Sequence, residues 1–200
     1  MAQRQSFRAA IGSQYLDLPV VPLNEDLAVA LLITVDHGVG FCEQAGRDLA
    51  EQLNDHKVEV VCSVATMGIP LAIEVTRALG LDDYAIVHKT KKIHLADGEW
   101  EPVRSITTSA EQSLGFDRAR LHAVAKKRVA IVDDVISTGG SIRAATNLVR
   151  RVGGDVVALG CLATEGSAWR DSLGEDAALV VALGALPLFG PSPDGFVPLP

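Results

Sequence analysis

One short stretch, residues 129–141, constrains the fold more than any other part of the chain. It reads Val-Ala-Ile-Val-Asp-Asp-Val-Ile-Ser-Thr-Gly-Gly-Ser. The β-prone apolar residues from Val129 to Val132 predict a buried strand that ends at the acidic pair Asp133 and Asp134. A loop of small residues then leads into a helical pattern over 142–151. The sequence therefore predicts two carboxylates and a loop at the carboxyl end of a buried strand.

The small-residue loop has the composition of an anion site. Free N–H groups at a helix start and nearby hydroxyls are donors, and glycines let the backbone approach an anion closely. The helix dipole adds only about 0.3–1 kcal/mol, so several direct hydrogen bonds must supply the affinity. The preceding acids would repel a phosphate but suit hydroxyl groups or a hard cation. A ribose 5-phosphate satisfies both parts of the stretch.

Every position of 129–141 also fits a known pattern, and the stretch resembles the signature of the type I phosphoribosyltransferases. The resemblance implies that Asp133 and Asp134 hold the ribose hydroxyls of phosphoribosyl pyrophosphate (PRPP). It also implies that the loop holds the 5′-phosphate, through Ser137, Thr138, Gly139, Gly140 and Ser141. The alternative is a strand that ends in an Asp-Asp helix cap, followed by a glycine turn.

A second possible anion loop lies between a strand predicted over 57–64 and a helix predicted over 70–79. In the family the corresponding loop binds pyrophosphate, which assigns that role to Ala65, Thr66, Met67 and Gly68. Many relatives carry a basic residue where this chain has Met67. The stretch over 68–72, Gly-Ile-Pro-Leu-Ala, resembles the purine-handling members. An ordinary turn between strand and helix is the alternative.

Basic residues follow a third strand, predicted over 84–87. Three lysines lie within residues 89–92, and a charge run of this kind is often only a solvated face. Related enzymes have a basic cluster here that often reaches a neighbouring subunit. The resemblance therefore assigns Lys89 and Lys92 to pyrophosphate, makes Lys89 a catalytic candidate beside the two aspartates, and implies a homodimer.

The segment over about 90–122 corresponds in position to the flexible hood of the family, which closes over the reacting centre. We predict no regular structure in 93–123 before a strand-like run over 103–108. A long excursion inside a compact domain is usually functional or disordered. The hood residues expected to reach the substrate are Thr107, Thr108, Ser109 and Glu111.

The remaining pattern alternates strands with helices. It predicts strands over 29–35, 155–163 and 177–183, a helix over 41–53 and a Pro/Gly-rich tail over about 186–200. We expect one domain over residues 1–200. Its predicted fold class is α/β, the type I phosphoribosyltransferase fold, with a mainly parallel twisted sheet flanked by helices and a flexible hood loop.

The composition argues against nucleic acid and membrane as partners. The net charge of −7 argues against general nucleic-acid binding, and no apolar run reaches the roughly 18 residues of a membrane span. The three cysteines lack metal-ligand spacing and read as buried thiols of a cytoplasmic protein. The amino terminus has no signal-peptide pattern.

The resemblance implies a Mg²⁺-dependent transfer of the phosphoribosyl group from PRPP to a purine base in purine salvage. Adenine is favoured, with hypoxanthine, guanine or xanthine as the alternative bases. Mg²⁺ would bind mainly through the substrate, with Asp133 and Asp134 as protein ligands. Phe7, Tyr15 or Phe189 could offer a stacking face to the base. A PRPP-sensing regulator of the same fold without catalytic activity stays open.

Overall fold

The computed structural model describes residues 5–89, 98–103 and 112–199. Among these residues, two sheets and four α-helices form the fold. The larger sheet has seven strands in the order β10-β9-β8-β4-β5-β7-β6. They are β4 (Val60–Val64), β5 (Tyr84–His88), β6 (Glu99–Val103), β7 (Gln112–Phe116), β8 (Arg128–Ile136), β9 (Asp155–Glu165) and β10 (Val180–Leu186).

The five strands from β10 to β5 pair in parallel, and β7 and β6 continue the sheet in antiparallel pairing. Parallel strands covered on both faces have near-continuous apolar sequences. All five residues of β4 are buried, and so are nine of the eleven residues of β9. In β8, the five residues from Val129 to Asp133 are buried. β8 and β4 pair with each other near the centre of the sheet.

The described residues form four α-helices: α1 (Gly38–Leu53), α2 (Gly68–Ala78), α3 (Gly140–Arg151) and α4 (Ala168–Leu173). The first three pack on the large sheet, and α4 packs against α3. Each buries one apolar stripe. On α1 the stripe includes Phe41, Ala45 and Leu49, and on α3 it includes Ile142 and Leu148. The predicted helices over 41–53, 70–79 and 142–151 are confirmed to within three residues at each end.

The smaller sheet consists of β1 (Ser6–Ile11), β2 (Gln14–Pro22), β3 (Ala28–Ala30), β11 (Leu188–Ser192) and β12 (Gly195–Pro198), in the order β1-β2-β3-β11-β12. The turn of the first hairpin contacts the large sheet, where the N–H of Gly12 donates to the carbonyl of Leu183 at 2.9 Å. The two ends of the chain thus form one sheet beside the first.

Several predicted elements differ in the structure. The strand predicted over 29–35 is wrong, because β3 ends at Ala30 and a 3₁₀ turn closes over Thr34–His37, with the N–H of Asp36 bonded to the carbonyl of Ile33. The predicted tail contains β11 and β12, which pair with each other and with β3. In the excursion over 93–123, β6 begins at Glu99 and β7 follows at Gln112.

Two strand boundaries also move. The strand predicted from 57 begins at Val60, since Lys57 has a left-handed φ of 50° after a 3₁₀ turn. The last strand begins at Val180 rather than 177, because residues 174–179 form another 3₁₀ turn. No helix in the described part of the chain is long and apolar enough to cross a membrane.

Candidate functional site

The three predicted loops meet at one edge of the large sheet. They follow β4, β5 and β8, which are adjacent parallel strands, so their carboxyl ends lie side by side. A cleft of about 150 Å³ opens there. Its walls are Lys89, Asp133, Asp134, Val135, Ile136, Ser137, Thr138, Gly139, Gly140, Ser141 and Ile142. The structure thus brings the acidic pair and the small-residue loop together in one cleft.

The two aspartates occupy different environments within the last residues of β8. Asp133 is only 8% exposed, whereas Asp134 is half-buried. Burial, and then the neighbouring carboxylate of Asp134, raise the pKa of Asp133 well above its ordinary value, while the positive charge of Lys89 opposes this rise. The N–H of Asp134 donates to Asp133 Oδ1 at 3.0 Å. The strand thus presents one deep and one shallow carboxylate to the cleft.

The loop after β8 lines the same cleft and leads into α3. Gly139 has a φ of +79° and precedes α3, whose amino-terminal N–H groups receive no side-chain cap. A Cβ at Gly139 would lie 3.1 Å from the Cβ of Ser172 and 3.3 Å from the Cα of Trp169. Because α4 packs directly against Gly139, it supports the loop after β8. Residues 137–141 line the cleft, and uncapped N–H groups at a helix start are donors for an anion.

The second loop touches the acidic pair through Gly68. A Cβ built on Gly68 would lie 2.4 Å from Ser63 Oγ and 2.8 Å from Asp133 Oδ1. Only glycine allows the start of α2 to approach the carboxylate this closely. The N–H of Ala65 donates to the carbonyl of Val87 at 2.9 Å, which ties this loop to β5 as well.

Two other members of the second loop are exposed. Thr66 is exposed, Met67 is 37% exposed, and α2 begins at Gly68 without a side-chain cap. The peptide bond between Ala65 and Thr66 is cis. Unpaired N–H groups at the start of a helix are donors for an anion. The loop therefore has the geometry expected of a second anion site next to Asp133.

Lys89 follows β5 directly and is exposed at the mouth of the cleft. It is the basic residue of the predicted cluster that the structure describes near Asp133. Lys92 and the hood residues Thr107, Thr108, Ser109 and Glu111 lie outside the described residues, so their predicted roles stay predictions.

The aromatic candidates for base stacking lie in the smaller sheet. Phe189 is 1% exposed, and its ring meets that of Phe7 edge to face with centroids 5.4 Å apart. The stacking role predicted for Phe189 does not agree with this burial, because no face of its ring is open. Tyr15 is 68% exposed, with the guanidinium of Arg8 over its ring at 5.2 Å. For Phe7 and Tyr15 the role stays a prediction.

The carboxylates present suit a metal that is held mostly by a ligand. Within the described ranges, no group of three or more histidine, cysteine, aspartate or glutamate residues could hold a metal ion by itself. Mg²⁺ commonly uses one or two carboxylates together with waters and substrate phosphates. Asp133 and Asp134 fit that limited share of a coordination shell.

Two residues at the site, Ser63 and Glu165, were not predicted from the sequence. Ser63 is fully buried in β4, and its hydroxyl has no hydrogen-bond partner among the residues that the structure describes. Glu165 ends β9, and its Oε2 accepts a hydrogen bond from Ser137 Oγ at 2.7 Å. An acid that follows a long apolar run signals a strand's carboxyl end, which could have revealed Glu165. Nothing in the sequence distinguishes Ser63 from an ordinary core serine.

Comparison with known proteins agrees with this geometry. The model of the phosphoribosyl transferase domain matches residues 41–180. An orotate phosphoribosyltransferase of Caldanaerobacter subterraneus subsp. tengcongensis is 30% identical over 122 residues, which are 61% of this chain and 53% of that protein. An adenine phosphoribosyltransferase of Nitrosomonas eutropha is 29% identical over 132 residues, 64% of each chain. The chain thus spans less than two thirds of the length of these relatives.

Solved structures share the fold. The adenine phosphoribosyltransferase of Giardia lamblia, complexed with 9-deazaadenine, aligns with a TM-score of 0.69 at 16% identity, over 84% of this chain and 93% of that one. The enzyme of Saccharomyces cerevisiae aligns with a TM-score of 0.63 at 21% identity, over 83% and 93%. The type I phosphoribosyltransferase fold expected from the sequence is confirmed. Because the family model covers well over half of its length, the chain belongs to the phosphoribosyl transferase domain family.

Proposed function

We propose that this protein is a phosphoribosyltransferase that transfers the 5-phosphoribosyl group of PRPP to a purine base, with adenine as the favoured base. The products would be a nucleoside monophosphate and pyrophosphate. The main support for the proposal is that Asp133, Asp134 and the loop from Ser137 to Ser141 line one and the same cleft. A sugar phosphate is the ligand that uses carboxylates and phosphate donors side by side.

Each part of the cleft has a distinct task in this proposal. The amides and hydroxyls of residues 137–141 bind the 5′-phosphate, and Asp134 accepts hydrogen bonds from the ribose hydroxyls beside it. The uncapped start of α2, from Gly68, donates to pyrophosphate next to Asp133. Lys89 stands at the mouth, where its charge offsets the negative charge that builds on the leaving pyrophosphate.

The bond between the ribose C1 and pyrophosphate breaks as a ring nitrogen of the base attacks, through an oxocarbenium-like transition state similar to that of glycoside cleavage. The residues of this chain position the ribose so that C1 faces the base, and positioning contributes strongly to such reactions. When bound, Mg²⁺ would stabilise charge on the pyrophosphate oxygens. Asp133 and Asp134 are the residues that would hold it from the protein side.

The choice of base rests on the relatives rather than on the cleft. Adenine phosphoribosyltransferases at 29% and 34% identity support adenine. The orotate enzyme at 30% identity makes orotate the second candidate. Hypoxanthine, guanine and xanthine remain bases to be tested. A PRPP sensor without catalytic activity would bind PRPP in the same cleft. It would transfer the phosphoribosyl group to none of these bases.

The deciding experiment is a pyrophosphate-release assay with PRPP, Mg²⁺ and one base at a time: adenine, hypoxanthine, guanine, xanthine or orotate. We expect turnover with adenine and strong loss of it in Asp134→Asn. Turnover with another base alone would refute the adenine assignment but keep the reaction. PRPP binding without turnover on any base would favour the sensor. Absence of both binding and turnover would refute the proposal.

We also infer a homodimer and a cytoplasmic location. The exposed side chains of Val35 and Val39 flank an apolar groove of about 330 Å³ between α1 and α2, and a second copy of the chain would cover this face. All three cysteines are unpaired and buried, which suits a reducing compartment. Sedimentation at micromolar concentration should show a dimer, and Val39→Asp should shift it to monomer. A wild-type monomer would refute the dimer.

A further inference from the structure

Glu165 lies behind the phosphate loop and holds one of its hydroxyls. It is the last residue of β9, beside Leu186 of β10 on one side and the end of β8 on the other. Its Oε2 accepts a hydrogen bond from Ser137 Oγ at 2.7 Å. Ser137 lines the cleft, whereas Glu165 does not. The hydroxyl proton of Ser137 therefore points away from the position of the phosphate.

This arrangement limits what Ser137 can do for a phosphate. An ionised carboxylate only accepts hydrogen bonds, so Ser137 must donate to it and has no second proton for a phosphate oxygen. A protonated Glu165 could donate to Ser137 Oγ instead. The proton of Ser137 would then be free to turn into the cleft and to donate to the phosphate.

We propose that Glu165 is a positioning residue for the 5′-phosphate, which turns the Ser137 hydroxyl toward the phosphate by taking up one proton when the sugar phosphate binds. The proton comes from solvent and resides on the Glu165 carboxyl group, and no covalent bond to the ligand forms or breaks. This inference rests on the proposed function, because it assumes that the loop from Ser137 to Ser141 binds a phosphate.

The surroundings of Glu165 favour this proton uptake. Burial raises its pKa above the ordinary value, and the hydroxyl of Ser137 opposes the rise. Of the neighbouring elements, β8 carries Asp133 and Asp134, α4 carries Arg170 and Asp171, and β10 has no charged residue. A phosphate at Ser137 would add negative charge nearby and raise the pKa further.

Proton uptake by Glu165 makes phosphate binding weaker at high pH. The pKa of Glu165 is higher in the complex than in the free protein, so the extra affinity is fully present below the free pKa. It is lost as the pH rises through the pKa of the complex. Where the free carboxyl is ionised and the bound one protonated, the dissociation constant rises about tenfold per pH unit.

The test is calorimetric titration of D-ribose 5-phosphate, and of PRPP, into wild type and Glu165→Gln from about pH 5.5 to 8.5. Glutamine both donates and accepts, and so imitates the protonated glutamate at every pH. We expect the ratio of the wild-type to the variant dissociation constant to rise with pH. The second ionisation of the ligand phosphate, with a pKa of about 6, is common to both proteins and cancels in this ratio.

Two further variants serve as controls, and melting temperatures establish that every variant folds. Ser137→Ala removes the hydroxyl that Glu165 reorients. In that background, the ratio of the dissociation constants with Glu165 and with Glu165→Gln should therefore vary less with pH than it does in the presence of Ser137. Glu175→Gln, at an exposed acid of the turn after α4, is the matched control and should retain the wild-type profile. Equal melting temperatures of wild type and variants would establish that all of them fold.

The outcomes separate this inference from the proposed function. Binding with parallel pH profiles in wild type and Glu165→Gln would overturn the role of Glu165 and leave the phosphate site standing. A wild-type protein that binds neither ligand would overturn the phosphate site and this inference together. A Glu175→Gln profile that differs from wild type as much as that of Glu165→Gln would also overturn the assignment.

Discussion

Replacing Gly68 by alanine should damage stability and substrate binding together, because this glycine joins the second loop to the acidic pair. The added Cβ would lie 2.4 Å from Ser63 Oγ, 2.8 Å from Asp133 Oδ1 and 3.2 Å from Asp133 Cα. Ordinary contacts of a Cβ are 3.4–4 Å. Two of the three obstructing atoms belong to Asp133, and one of these is backbone in the central strand, so the start of α2 must move instead.

The overlap at Gly68 should lower the free energy of unfolding and the catalytic rate of Gly68→Ala. Inserting a methyl group into a packed site costs about 1–3 kcal/mol. For a domain of this size each kcal/mol lowers the melting temperature by about 2–4 °C, so a cost of 2 kcal/mol lowers it by about 4–8 °C. A displacement of about 1 Å at a reacting centre can reduce the rate about 10²-fold, and we expect a loss of kcat/KM of that order.

Gly40→Ala is the matched control, since a Cβ at Gly40 meets no atom within 4 Å and the residue lies in the first turn of α1. It should be neutral or stabilising by about 0.5–1 kcal/mol. Urea unfolding would measure both changes. The double variant Ser63→Ala/Gly68→Ala removes the closest obstruction and should recover part of the loss. If Gly68→Ala is as stable and active as Gly40→Ala, the packing argument is wrong.

Three other predictions concern separate parts of the structure. Asp134→Asn should lower turnover about 10²-fold with little change in melting temperature, because the side chain is half-buried at the strand's end; unchanged kinetics would contradict its role. Cys42, Cys62 and Cys161 should resist a thiol reagent in the native protein and react fully in urea, since burial raises the pKa of all three thiols, that of Cys62 to about 12. Rapid native labelling would refute this burial. Glu101→Ala should increase hydrogen exchange in β6, because Glu101 accepts hydrogen bonds from Asn147 and Arg151 of α3; Asp176→Asn, which breaks the ion pair with Arg150, should leave β6 unchanged.

The sequence predicts the centre of this fold well, for a physical reason. Buried parallel strands must be almost wholly apolar, so the run from Val129 to Val132 identifies β8 without any knowledge of its neighbours. The glycines and hydroxyl-bearing residues that follow it are typical of a loop that turns around an anion. The site built from adjacent residues was therefore accessible to sequence reasoning.

The parts that the sequence did not predict depend on contacts between distant residues. The strand expected over 29–35 ends early because a turn hydrogen bond at Asp36 competes with the sheet. The last residues form β11 and β12 because β3 offers them an edge to pair with. The hydrogen bond between Ser137 and Glu165, and the approach of Gly68 to Asp133, join residues that only the folded sheet brings together.

The most direct measurement is a crystal structure of the protein with PRPP. We expect the 5′-phosphate against residues 137–141, the ribose hydroxyls at Asp133 and Asp134, and the pyrophosphate at the start of α2. A ligand bound elsewhere on the protein, or a phosphate that avoids the loop after β8, would refute the assignment of this cleft to PRPP.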